Sequence, residues 1–133
     1  MNIGEAAKAS GVSAKMIRHY ESIGLLTPTG RTASGYRTYD EGSVHTLRFI
    51  RRARRLDFSL ERIGELLALW QDQGRASSDV RRIALSHLEG LEAKAEALDA
   101  IIRTLRQLVI DCAGDHRPDC PILDDLSEVP DGE

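Results

Sequence analysis

The stretch Ile3-Gly4-Glu5-Ala6-Ala7-Lys8-Ala9-Ser10-Gly11-Val12-Ser13-Ala14-Lys15-Met16-Ile17-Arg18-His19-Tyr20-Glu21-Ser22-Ile23-Gly24 decides how the rest of the chain is read. Ile3, Ala6 and Ala7 recur at helical spacing as far as about Lys8, and Ser10-Gly11-Val12 then breaks the pattern, Gly11 being able to take a positive φ. Ser13 is a good N-cap for a second helix that runs through Met16, Ile17 and Tyr20 to about Ile23, where Gly24 supplies the stop. Two short helices around a tight glycine turn predict a helix-turn-helix. In such a unit the second helix enters the major groove with its N-terminal residues at the base edges.

Beyond Gly24 the segment Leu25 to Tyr39 holds Pro28, Gly30 and Gly35, then Tyr36-Arg37-Thr38-Tyr39, and reads as a small hairpin, or wing. Asp40 can cap a third helix through Val44, Leu47 and Ile50 to about Arg54. Ser59 can cap a fourth through Ile63, Leu66 and Leu67 to about Trp70, which completes a second helix pair. Further on, Ala84, Leu88, Leu91, Ala95, Leu98, Ile102, Leu105 and Val109 alternate steps of four and three, a heptad seam. A helix over 79–110 would be roughly 48 Å long at 1.5 Å per residue. No other segment is long enough to cover it, so it requires a partner, and a homodimeric coiled coil is expected.

The fold class expected is therefore mainly α. A winged helix-turn-helix head occupies residues 1–70, a linker 71–78, the dimerisation helix 79–110, a loop and short helix 111–126, and a frayed, disordered acidic tail 127–133.

The net charge of −3 conceals an asymmetry: residues 1–55 carry ten Lys and Arg against four Asp and Glu, net +6, and residues 56–133 carry eight against seventeen, net −9. A basic head suits phosphates. The candidate DNA contacts on the second helix are Ser13, Lys15, Arg18, His19 and Tyr20, with Arg18 able to pair bidentately with a guanine edge and Lys15 placed for a phosphate. The wing offers Arg31, Tyr36, Arg37 and Tyr39, and Arg54 represents the run Arg51-Arg52-Ala53-Arg54-Arg55. Tyr20 shares an apolar face with Met16 and Ile17, so packing competes with a DNA role, and the arginine run covers more than one turn and cannot all face one way.

With 29% charged residues, no apolar run of membrane-spanning length and no signal peptide at Met1-Asn2-Ile3, a cytoplasmic chain with no membrane partner is expected, its Cys112 and Cys120 reduced. The cysteines frame Cys112-Ala-Gly-Asp-His-Arg-Pro-Asp-Cys120. Four-coordinate zinc would need His116 and the loop aspartates as well, whereas two thiolates suit a soft monovalent d10 ion such as Cu(I). Two idle thiols or a redox disulfide are the alternatives. His19, His45, His87 and His116 are scattered and form no triad, and no enzyme is expected.

The combination of Ile3-Gly4-Glu5-Ala6-Ala7, Gly11-Val12, Ile17-Arg18-His19-Tyr20-Glu21, Gly24-Leu25, Gly35-Tyr36-Arg37-Thr38-Tyr39 and Phe58-Ser59-Leu60-Glu61-Arg62-Ile63 resembles the MerR-type bacterial transcriptional regulators. The Cys-x7-Cys loop followed by Pro121-Ile122 is similar to the copper efflux regulator subgroup. The resemblance implies an antiparallel dimer on a palindromic promoter with an overlong spacer, each thiol loop near the partner's helix start. It also implies that bound metal distorts the DNA, realigns the elements read by RNA polymerase and turns repression into activation of copper efflux or detoxification genes. In the family a cysteine at the helix start accompanies divalent metals and a serine monovalent ones. Ser77 stands at that position, which favours Cu(I), with Ag(I) and Au(I) as alternatives, over a Zn(II) or Hg(II) sensor. Two positions depart from the family pattern: His19 replaces an aromatic, and Asp57 replaces a glycine before Phe58. No Cys- or His-rich tail follows residue 123, so no auxiliary metal site is expected.

Overall fold

Local capping chemistry sets out the helices of a computed structural model of the chain, which describes residues 1–115 and 118–127. Asn2 and Glu5 form a capping box at the start of α1 (Ile3–Ser10), and Gly11, at φ 77°, closes its end. The Ser13 hydroxyl accepts the Met16 N–H and opens α2 (Ala14–Ser22). The hairpin pairs β1 (Gly30–Arg31) with β2 (Arg37–Thr38) antiparallel, Gly30 opposite Thr38 and Arg31 opposite Arg37. Asp40 caps α3 (Glu41–Arg55), and the Ser43 N–H it accepts holds its carboxyl below the usual carboxylate range. Ser59 caps α4 (Leu60–Gln71) by accepting the Arg62 N–H at 3.1 Å.

These elements pack into one unit, Met1–Ile83, in which α1 lies against α2 and α3, and α3 against α4. Its core is built from Ala6, Ile17, Tyr20, Tyr39, Leu47, Ile50 and Ile63 with smaller neighbours. Apart from Tyr39, which follows β2, each of these comes from the apolar face of its helix, so the helical periodicity of the sequence becomes the packing surface. Phe49 of α3 stacks on Trp70 of α4 with ring centroids 4.8 Å apart and planes 13° apart, tying the second helix pair together. The expected winged helix-turn-helix head with a second helix pair is the architecture observed.

The second unit spans residues 84–133 and contains most of α5 (Ser77–Asp111) and all of α6 (Pro121–Ser127). The long helix begins two residues before the expected Asp79 and ends one after Ile110, so Ser77 and Ser78 belong to the helix rather than to the linker. Its seam is open in the single protomer: Leu88 is 49% exposed, Leu98 58% and Val109 62%. Ser127 is the last residue of α6, and the remainder of the expected frayed tail, 128–133, lies outside the described residues.

Asp57, the departure noted in the turn between α3 and α4, sits at φ 67° in the left-handed region that glycine adopts without cost. Asp tolerates it better than most residues because its short polar side chain can hydrogen-bond locally. A β-branched residue cannot, so Asp57→Val should lower stability by roughly 1–2 kcal/mol in urea unfolding. An unchanged midpoint would mean that the turn can be re-formed without the positive φ.

Candidate functional site

Two faces of the chain carry chemistry, and the first is the basic side of the head. Burial of Ile17 and Tyr20 turns the opposite side of α2 outward, where Lys15, Arg18 and His19 are exposed. Ser13 is exposed too, with its oxygen engaged in the helix cap. The hairpin holds Arg31 by a bond from Nη1 to the Gly35 carbonyl at 3.0 Å and presents Tyr36, 73% exposed. Arg18, Tyr36 and Arg37 line one cleft between the recognition helix and the wing.

A second basic cleft opens beside the glycine turn, lined by Gly11, Ser13, Tyr20 and three members of the arginine run, Arg51, Arg54 and Arg55. Positions i, i+3 and i+4 of a helix share a face, which brings these three together and sends Arg52 elsewhere. Arg51 and Arg55 were not separable from Arg54 in the sequence, because which stripe of α3 is buried depends on tertiary packing. Arg48 is engaged otherwise: its Nη2 donates to the Ala9 carbonyl near the end of α1 at 2.9 Å.

Two of the expected DNA contacts are core residues instead. Tyr20 is 4% exposed and Tyr39 2% exposed, because both rings face the apolar cluster around Ile17, Leu47 and Ile50. The Tyr39 hydroxyl is not offered to a phosphate; it donates to Glu21 Oε1. Glu21, whose side chain is 7% exposed, also places Oε2 2.8 Å from Arg37 Nε. That second contact is an ion pair without the alignment of a hydrogen bond, and among the described residues Oε2 has no hydrogen-bond partner. Burial, then the hydrogen bond to Glu21 and its charge, push the Tyr39 phenol up to about 12.

The second face is the thiol loop. Cys112 directly follows α5, its N–H donating to the Leu108 carbonyl, and Cys120 directly precedes α6, its carbonyl accepting the Asp124 N–H. The helix periodicity ends at one cysteine and resumes after the other, so the two thiols bracket the loop. Both are free and half-buried. Among the described residues no group of three or more His, Cys, Asp or Glu comes close enough to hold a metal; His116, which a four-coordinate zinc site would have needed, lies outside them. Two sulfur donors fit a soft ion of low coordination number, and fall short of the four donors that structural zinc takes. Ser77, fully part of α5 as its first residue, is exposed and lies at the other end of that helix from Cys112.

Two family models match the chain: residues 2–39 that of the MerR family regulatory protein, and residues 44–108, from α3 through most of α5, that described as MerR, DNA binding. The chain belongs to the MerR family. Its relatives in this family include the HTH-type transcriptional regulator HmrR of Sinorhizobium medicae, 61% identical over 128 residues that cover 96% of this chain and 87% of the relative. The HTH-type transcriptional regulator CueR of Escherichia coli O6:H1 is 42% identical over 127 residues, covering 96% and 94%. Among solved MerR-like structures, the transcription regulator PbrR691 of Ralstonia metallidurans CH34, crystallised in complex with lead(II), matches with a TM-score of 0.85 at 33% identity, covering 96% of this chain and 99% of that one. Like other MerR-family members, the chain is a DNA-binding regulator and not an enzyme, and it works as a homodimer on promoter DNA in contact with RNA polymerase. No helix among the described residues is long and apolar enough to cross a membrane.

The Tyr39 phenol gives the head a pH signature. A phenol whose folded pKa is raised stabilises the fold fully below its ordinary value of about 10 and loses that contribution as pH rises through about 12. Wild-type stability should therefore fall more steeply between pH 10 and 12 than that of Tyr39→Phe, with a late phenolate absorbance step that the variant lacks. Parallel stability curves for the two proteins would contradict the buried hydrogen bond.

Proposed function

We propose that this MerR-family chain is a Cu(I)-responsive activator that controls copper efflux or detoxification genes from the cytoplasm, with Ag(I) and Au(I) able to occupy the same site. The observation that carries the reading is the donor set: two free, half-buried thiols bracketing one loop, with serine rather than cysteine at the start of α5. A monovalent ion between two thiolates leaves a net charge of −1, whereas a divalent ion is better matched by a third thiolate. The exposed N-terminus of the partner's α5, with its partial positive charge, would offset that −1 at modest cost. The likeness to a CueR at 42% identity supports the copper reading. The lead(II) complex of PbrR691 makes a divalent sensor the reading to be tested against it.

On the DNA side, Lys15, Arg18, His19, Arg31, Tyr36 and Arg37 form the reading face, with Ser13, Arg51, Arg54 and Arg55 placed for backbone phosphates beside it. When loaded, the ion supplies a soft acceptor for both sulfurs. What the chain's own residues do is close the loop, so that Cys120 and the start of α6 are held at the end of α5. Distorting a promoter duplex costs on the order of 1–6 kcal/mol, so the closed loop needs to favour the distorted state by only a similar amount.

In vitro transcription from the regulated promoter, with the reduced protein and a panel of metals, tests the reading. Activation by Cu(I), Ag(I) and Au(I), absent with Zn(II), Hg(II) and Pb(II) and abolished by Cys112→Ser and by Cys120→Ser, is expected. Activation by a divalent ion, or by oxidant without metal, would replace it with the divalent or the thiol redox reading.

A further inference from the structure

Glu21 is a carboxylate in a place where elementary electrostatics argues against one. It lies on α2 against Tyr39 and Arg37, which line a cleft together with Arg18, in the basic half of the chain that suits a polyanion. Its side chain is 7% exposed, so it has lost most of its hydration, and Oε2 receives no hydrogen bond from the described residues in return. A glutamine of the same shape would keep the packing without burying a charge, although its amide N–H would face the Arg37 guanidinium, which offers no acceptor. What the carboxylate does have is two partners on the other side of the cleft: the Tyr39 hydroxyl donates to Oε1, and Arg37 Nε sits 2.8 Å from Oε2.

Both partners belong to the wing, one in β2 and one directly after it, while Glu21 belongs to α2. A hairpin of two paired residues per strand has little rigidity of its own. Tyr39 anchors the wing base in the core, and the carboxylate then fastens the next side chain, Arg37, through its inner nitrogen. An ion pair at Nε limits where the guanidinium can go while leaving its two terminal nitrogens for a phosphate, which they can engage bidentately. The Arg37 side chain is 43% exposed, so the outer half of the guanidinium stays accessible.

We propose that Glu21 is a positioning residue for DNA binding, one that couples the wing to the recognition helix and orients the Arg37 guanidinium toward a backbone phosphate. The inference rests on the DNA-side reading above and adds to it a residue that touches no DNA. The same geometry makes Arg37 a directed contact rather than a diffuse positive charge, so its identity as arginine matters and its charge alone does not suffice.

The competing account has the opposite sign. If Glu21 were only a negative charge near DNA, Glu21→Gln would tighten binding and steepen its salt dependence, since removing a repelling charge adds to the favourable field. Under the proposal Glu21→Gln weakens binding by about tenfold and makes the slope of log K against log salt shallower by about one, the loss of a single phosphate contact. The assay uses the full-length dimer and a duplex selected by the wild-type protein from a random-sequence pool. Because a change at a buried position can perturb folding, Arg37→Lys, at a half-exposed position, is measured beside it. It keeps the charge, lacks Nε, and should lose as much affinity as Glu21→Gln, with the double variant no worse than either single one. Tighter or unchanged binding by Glu21→Gln, wild-type affinity in Arg37→Lys, or additive losses in the double variant would overturn the proposal. Arg18→Ala in the same assay tests the parent reading separately. Unchanged binding there would mean that α2 does not read DNA, whereas a loss there with no loss in Glu21→Gln would sink only the inference drawn from Glu21.

Discussion

The open apolar seam of α5 is the constraint on which the rest of the molecule depends. Leu88, Leu98, Ile102, Leu105 and Val109 repeat at heptad spacing and are each more than 40% exposed in one protomer. Burying each such side chain is worth about 1.5–3 kcal/mol, so a helix of 35 residues that leaves the stripe in water forgoes more stability than a small domain has to spare. A second copy of the same helix removes that cost. Pairing is therefore built into the sequence, and it has consequences at both ends of the helix. It duplicates the basic head, which is why a palindromic site is the natural ligand, and it supplies a second thiol loop and a second helix start.

The head obeys a different economy, in which apolar packing serves to aim polar groups. Ile17 and Tyr20 hold α2 by one side so that Lys15, Arg18 and His19 face out on the other. Tyr39 is buried so that its hydroxyl can fix Glu21, and Glu21 in turn fixes Arg37. The positive charge of residues 1–55 is thus distributed into two clefts of defined shape rather than spread evenly, and part of it is committed to structure, as with Arg48 on the Ala9 carbonyl. Net charge brings a protein to nucleic acid; a placed phosphate contact sets its register there, and contacts to base edges discriminate.

Much of this was legible in the sequence because the signals were local. The caps at Ser13, Asp40 and Ser59, the stop at Gly24 and the heptad seam are short-range patterns whose physics does not depend on distant residues, and the helices they predict are the ones observed. At Asp57 the sequence showed only a departure from the family's glycine; the positive φ observed there is what explains why that position takes glycine or a residue that tolerates the left-handed region. The errors were of another kind. Tyr39 looked like a DNA contact because a phenol hydroxyl suits a phosphate, and Tyr20 was open between packing and DNA; both rings pack into the cluster around Ile17, Leu47 and Ile50, a placement that depends on how the separate helices assemble. Glu21 went unnoticed since nothing in its neighbourhood on the chain shows that Arg37 and Tyr39 fold back onto it. Likewise the grouping of Arg51, Arg54 and Arg55 depends on which stripe of α3 packs on α1. Long-range placement is what a single sequence withholds, and here it governs which charged groups act.

If the seam is the organising constraint, its disruption should separate the parts without unfolding them. Sedimentation equilibrium of wild type and of Leu98→Asp, with circular dichroism and DNA binding measured on the same samples, addresses this directly. A charge placed in mid-seam should give a monomer that keeps a folded, helical head but binds a full palindrome little better than a half-site. A Leu98→Asp protein that still sediments as a dimer and binds the palindrome as tightly as wild type would contradict the account.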